Sequence, residues 1–194
     1  MLFLAALDIW LLVLGGLLLV WVVYVWNALV RDANKVREAF SGIDVQLKRR
    51  HDLVPNLVRT VKAYATHERE ALEAVVDARD AARGAHETPE RAARETSLAV
   101  SMGKLLALVE AYPDLKADAN FRKLHHDLVE IEDELQYARR YYNGAVRDYN
   151  NRVESFPSNV VAGLAGRGAE PFFQLESGAE SAVQHVDFDD EDDA

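Results

Sequence analysis

The chain contains no cysteine, which excludes disulfides and thiolate metal sites and leaves packing alone to hold the fold. It has no lysine or arginine before Arg31, so it lacks the basic start of a secretory signal peptide. The apolar run that follows closes on Tyr24-Val25-Trp26-Asn27 rather than on the small residues of a cleavage site. A basic excess is also missing. Of the formal net charge of -10, Asp8 supplies one acid, and nine more lie between Glu170 and Asp193 in a stretch without Lys or Arg. The other 22 acids match the 22 basic residues. A neutral body with an acidic tail excludes the basic face that displaces counterions from nucleic-acid phosphates, and it does not fit an acidic surface adapted to high salt.

What is present begins with eighteen uncharged residues from Ile9 to Trp26, twelve of them Ile, Leu or Val. At roughly 0.3 to 0.6 kcal/mol per aliphatic residue, these favour bilayer insertion by about 4 to 7 kcal/mol. Trp10 near one end and Trp21, Tyr24 and Trp26 near the other suit the two headgroup levels. Apolar residues on every side of this helix exclude burial in a soluble core. Cations follow the run but do not precede it, with Arg31, Lys35 and Arg37 first and Lys48, Arg49 and Arg50 further on. The positive-inside rule therefore predicts a single-pass cell-membrane protein, N-terminus outside and C-terminal bundle cytoplasmic. Arg31, Lys35 and Arg37 are candidate contacts for lipid headgroups.

Beyond the run, Leu29, Ala33, Val36, Phe40, Ile43 and Leu47 recur at steps of four and three, predicting that the anchor continues as an amphipathic rod. Pro55 predicts a break between Arg50 and Pro55. A second helix is expected from Pro55 to Arg83, carrying Leu57, Val61, Tyr64, Ala65, Leu72, Val75 and Val76. A third starts at Pro89 after a Thr88 cap and carries Leu98, Met102, Leu105 and Val109. The clearest periodicity runs from Phe121 through Leu124, Leu128, Ile131, Leu135, Ala138, Tyr142, Ala145 and Tyr149, a helix from about Ala119 to Ser155, roughly 55 Å long. The 3.5-residue period and short connections predict an all-α fold: an N-terminal transmembrane helix continuing into an antiparallel, left-handed, coiled-coil-like four-helix bundle. The expected division is 1–26 anchor, 27–157 bundle, 158–175 membrane-proximal or linker segment, and 176–194 acidic disordered tail. With this topology Phe156, Pro157, Val160, Val161, Leu164, Phe172 and Phe173 return towards the bilayer.

Catalytic patterns fall short. His67-Glu68 begins a zinc-protease signature, but Ala71 stands where the second histidine belongs. His125 and His126 are adjacent, hence about 100° apart on a helix, and do not face one ion; they read as exposed or rim residues. No Glu is followed three residues later by His, as a di-iron bundle requires. Glu130, Glu132, Asp133 and Glu134 read as a solvated face paired with Arg139 and Arg140. Gly163 to Gly168 lacks the Lys-Ser/Thr ending of a phosphate loop and reads as a flexible linker. Glu68, Arg79 and Arg152 fall on or beside apolar stripes, where polar groups set helix register. No metal, cofactor or small-molecule substrate is expected.

One run, from Ile43 through Asp44, Val45, Gln46, Leu47, Lys48, Arg49, Arg50, His51, Asp52, Leu53, Val54, Pro55, Asn56 and Leu57 to Val58, resembles the LemA family closely. The likeness continues in Val61 to Glu68, Glu110 to Ala117, Tyr137 to Asn143, Tyr149-Asn150 and Phe156 to Asn159, and covers about residues 27 to 175. It implies a single-pass bacterial or archaeal membrane protein with a cytoplasmic helical bundle and no established reaction, some members being linked to membrane organisation in magnetosomes. The chain departs from the family pattern at Phe40, where tryptophan is common, and at Ile131 to Glu134.

These readings favour a non-catalytic, membrane-tethered scaffold. Its partners are the lipid bilayer and an unidentified protein or a second copy, with no nucleic acid. Candidate partner-binding residues are Asp44, Gln46, Lys48, Arg49, Arg50, Asp52 and Asn56, whose polarity at the expected helix break packing does not explain. The alternative is a membrane-associated sensor or signalling component.

Overall fold

The computed structural model describes residues 2–85 and 88–174, with side chains from residue 8 onward; the tail assigned to 176–194 lies outside the described residues. Its regular structure is helical throughout: α1 (Leu2–Tyr64), α2 (Arg69–Gly84), α3 (Thr88–Val109), α4 (Pro113–Ala117), α5 (Ala119–Glu154) and α6 (Ser158–Leu164). At 63 residues, α1 is roughly 95 Å long. Its apolar half stands clear of the other helices. Side chains from Ile9 to Tyr24 are exposed apart from a half-buried Trp21, and burial begins at Val25, Ala28 and Leu29. This free portion, with a mean hydropathy of 2.4 over eighteen residues, is long and apolar enough to cross a membrane.

The break expected before Pro55 is absent, because α1 continues through that proline to Tyr64. Proline removes the N–H that would bond to the carbonyl four residues back and crowds that carbonyl. The carbonyl belongs to His51, and Arg79 of α2 donates to it from Nε at 2.9 Å. A neighbouring helix thus satisfies the orphaned acceptor, while the buried Val54, Leu57 and Val61 hold the backbone in its helical path. The helix expected over 55–83 is therefore two pieces: the last turns of α1, and α2 after a turn at residues 65–68.

Contacts along the rods give their directions. Asp32, Lys35, Arg50 and Tyr64 of α1 meet Arg152, Asp148, Glu132 and Asp118 respectively. One number rises as the other falls, so α5 runs antiparallel to α1. Asp44, Arg50 and Glu68 meet Arg91, Glu95 and Tyr112, so α3 runs parallel to α1, with α2 returning between them. All three stripe residues expected to set register cross between elements: Arg79 as above, Arg152 to Asp32 at 2.5 Å, and Glu68, which accepts from the Tyr112 hydroxyl at 2.9 Å. Asp118 caps α5 by accepting the Phe121 N–H at 2.9 Å. That bond, helped by the Tyr64 hydroxyl, holds its carboxyl below the ordinary aspartate value.

Two apolar cores result. The first joins Val25, Leu29, Val36, Ile43 and Leu47 to Leu135, Tyr142, Val146, Tyr149, Val153, Val161 and Phe173. The second joins Val54, Leu57 and Val61 to Leu72, Val75, Leu98, Leu105, Leu115, Phe121 and Leu128. At the end of α6, Gly166 adopts φ 63°. The Arg167 N–H reaches the Ala162 carbonyl at 3.0 Å, and the Gly166 N–H reaches that of Gly163 at 3.1 Å. This pairing is a Schellman close, which needs the left-handed residue that glycine supplies. The segment read as a flexible linker is thus a structured helix stop.

Replacing Arg79 by Met keeps the packed stem but strands the His51 carbonyl beside Pro55. Chemical denaturation of Arg79→Met should show a loss of about 1–3 kcal/mol, the cost of an unsatisfied buried acceptor.

Candidate functional site

Between the two cores lies a buried polar layer. On α1 the seam passes from Leu47 to Val54 through Arg50 and His51, which are 3% and 5% exposed. On α3, Glu95 replaces an apolar residue between Ala92 and Leu98 and is fully buried. On α5, Glu132 lies between Leu128 and Leu135. These groups of three helices meet at one level. Arg50 Nη2 donates to Glu95 Oε2, and its Nη1 donates to Glu132 Oε2 at 3.3 Å. His51 Nε2 lies 2.8 Å from Glu95 Oε1. Gln136 donates to Glu132 Oε1 at 2.9 Å and accepts from Arg139. With Arg79 on the His51 carbonyl, α1, α2, α3 and α5 are tied together at this layer.

Burial alone would push the Glu95 carboxyl up. The close approach of His51 and the positive charge of Arg50 outweigh it and hold the group below the ordinary glutamate value. The layer is therefore an ionic joint of fixed geometry. Its charged groups are held against one another across three helices.

The helix separates the residues grouped by the sequence into opposite faces. Arg50 is internal and unavailable to a partner, which corrects its expected role. Asp44 is half-exposed and bound by Arg91, whose guanidinium also lies 5.6 Å from the Phe40 ring centroid. Lys48, Arg49, Asp52 and Asn56 are exposed. Gln46, Arg49 and Asp52 share a groove of about 340 Å³ with Leu53, Asp127, Glu130, Ile131 and Glu134. The acidic run on α5 is accordingly divided: Glu132 faces the joint, while Glu130 and Glu134 line the groove. The expected pairing with Arg139 and Arg140 is absent, since Arg139 binds Gln136 and Arg140 lies over the Tyr137 ring. Of the candidate headgroup contacts, Arg31 is exposed, Lys35 is 3.4 Å from Asp148, and Arg37 donates to Asn34 at 2.6 Å. His67, His125 and His126 are exposed.

A second polar device holds the chain after α6. Asn150 accepts the Glu170 N–H at 2.8 Å and donates to the carbonyl of the same residue at 2.9 Å. One heptad earlier on α5, Asn143 does the same for Phe173, at 2.9 and 3.2 Å. The Tyr142 hydroxyl donates to the Pro171 carbonyl at 2.9 Å. Each amide presents a donor and an acceptor side by side, as a β-strand residue does, so 170–173 is held through its backbone as an extended strap. Phe173 is thereby seated in the first core at 1% exposure.

Residues 39–188 match the model of the LemA family. The chain belongs to that family. It is 27% identical over 164 residues to the protein LemA of Metamycoplasma hominis, covering 84% of this chain and 73% of that one. To the magnetosome protein MamQ 2 of Paramagnetospirillum magneticum it is 29% identical over 83 residues, 43% of this chain and 30% of that protein. The MamQ of Magnetospirillum gryphiswaldense shares 23% over the same extent. The chain thus spans less than a third of the length of these magnetosome relatives. In this LemA-family chain the long α1 motif is the helical side of the joint that carries Arg50 and His51, and Asn143 and Asn150, each after a tyrosine on α5, are the strap clamps.

Sequence reasoning missed Glu95, His51 and the clamping role of Asn143 and Asn150. Signals for them exist. Glu95 interrupts the apolar stripe Ala92, Leu98, Met102, Leu105, and the two asparagines are seven apart with a tyrosine before each.

Two outcomes are expected. Glu95→Ala, which leaves Arg50 buried without its main counter-charge, should cost about 3–5 kcal/mol by urea denaturation. A carboxyl whose folded value is depressed is protonated first in the unfolded chain, so its stabilisation is complete above the ordinary glutamate range. As pH falls below about 4, wild-type stability should decline, and Glu95→Ala should lack that part of the decline. Independently, Asn150→Ala removes two bonds from the strap. Trypsin cleavage after Arg167 should then accelerate roughly tenfold, the population change expected for about 1.4 kcal/mol.

Proposed function

We propose that this LemA-family protein is a non-catalytic, membrane-tethered scaffold. The apolar half of α1 crosses the cell membrane once with the N-terminus outside, and residues 27–157 form a cytoplasmic, antiparallel, left-handed four-helix bundle that binds a protein partner. The observation that carries this reading is the continuity of α1. One unbroken helix leads from the exposed apolar run into the ionic joint, so the anchor and the layer that organises the bundle belong to a single rigid element. The one-sided placement of Arg31, Lys35 and Arg37 supports the orientation, with Arg31 placed to meet headgroups.

The partner surface is the exposed side of the α1 motif, Lys48, Arg49, Asp52 and Asn56, together with the groove against α5. Packing accounts for Arg50 and His51, which point inward, but not for these outward residues. Four carboxylates, those of Asp52, Asp127, Glu130 and Glu134, against the Arg49 guanidinium favour a basic surface on the partner.

Photo-crosslinking residues placed at Arg49 and Asp52 in cells should give a discrete adduct in the membrane fraction, with none from Glu73, which lines a separate groove between α1 and α2. Equal, diffuse labelling from all three positions would overturn the partner surface.

A further inference from the structure

We propose that α6 and the turn before it make a second contact with the bilayer: Phe156, Val160 and Leu164 dip into its interfacial region beside the point where α1 emerges. This inference rests on the anchored reading above. The level of α6 comes from its packing. Val161 and Ala162 enter the core that also holds Val25 and Val153, with Trp21 against that cluster, and α6 follows α5 just after Arg152 meets Asp32, so α6 sits near the end of the apolar run. Val160 and Leu164 are one turn apart on α6, and both stay exposed while Val161 and Ala162 between them are buried. Leu164 is 87% exposed, Val160 54% and Phe156 83%, so apolar side chains are left uncovered beside the buried pair. Tyr24 and Trp26 are exposed on α1 at the same level, where amphipathic rings mark the headgroup region.

Two features suit this segment to an interface. The Schellman close satisfies the last carbonyls of α6 internally, so a short helix meets lipid without presenting bare acceptors. The strap clamped by Asn143 and Asn150 follows directly and fixes α6 against α5, so the exposed face is held at one angle to the span. The nearest large apolar phase is the membrane that α1 enters, and apolar side chains left exposed beside a span gain free energy by burial at its interface.

Because the chain has no cysteine, single labels are unambiguous. Val160→Cys, Leu164→Cys, Tyr137→Cys and Leu18→Cys would each carry the same environment-sensitive fluorophore. Full-length protein would be placed in vesicles of phosphatidylcholine and phosphatidylglycerol, with and without lipids brominated along the acyl chain. Labels at 160 and 164 should be quenched by bromine at least about twofold more than the label at 137, which lies far along α5, and should be shielded from aqueous iodide. Equal quenching at 160, 164 and 137, with the label at 18 strongly quenched, would overturn this contact while leaving the anchor standing. A label at 18 that bromine does not quench would instead remove the anchored reading. Shielding at 160 and 164 without bromine quenching would mean that a second copy covers the face, and would equally overturn the lipid contact.

Discussion

The guanidinium of Arg50, buried between Glu95 and Glu132 with His51 beside it, is the constraint around which the rest of the molecule is arranged. A buried ion pair is a weak source of net stability, since desolvation of both charges offsets most of their attraction. Its effect lies in what it forbids. Sliding α3 or α5 by a turn would leave a charge in the interior without a partner, at a cost of about 3–5 kcal/mol. An apolar heptad seam alone tolerates such slips far better. The joint therefore sets the register of three rods and divides the interior into a core near the apolar run and a core away from it.

Pro55 and Arg79 extend the same logic. Proline in a helix interior normally kinks or ends it, yet α1 continues because Arg79 supplies the missing bond to the His51 carbonyl. The residue whose side chain contacts Glu95 thus has its backbone oxygen held by α2. The consequence is mechanical: a single rod leads from the apolar run to the far end of the second core, with no hinge at the joint. At the opposite end, Asn143 and Asn150 treat the chain after α6 as a strand and bind it by its backbone, closing the core beside Val25 and Trp21. The family resemblance quoted from the sequence thus has physical content. The α1 motif builds the joint and the Tyr-Asn pairs build the clamps.

This division of labour bears on function. Residues of the α1 motif that point inward are consumed by structure. Those that point outward, Lys48, Arg49, Asp52 and Asn56, remain as a charged face at a fixed distance from the apolar run. This division is what the proposed scaffold reading rests on.

Much of this was legible in the residues. The apolar run, the unbroken periodicity from Leu29 to Leu47, and α5 from Phe121 to Tyr149 follow from hydrophobic spacing, because an amphipathic helix writes its buried face at every third and fourth position. The sequence also located α3, which starts at Thr88 with the proline at its second position. Spacing along one helix carries no information about which polar residue on another helix lies opposite. For that reason Arg50 read as a surface group, Glu95 went unnoticed, Glu132 was grouped with its exposed neighbours, and Pro55 read as a break. Each of these was decided by a partner distant in the chain: Glu95 and Glu132 for Arg50, Arg79 for the carbonyl that Pro55 leaves open, and the backbone of Glu170 and Phe173 for the two asparagines. Local pattern sets which faces are apolar, and only the packed helices settle how buried polar groups are satisfied, since hydrogen-bond partners are a property of the assembled interior.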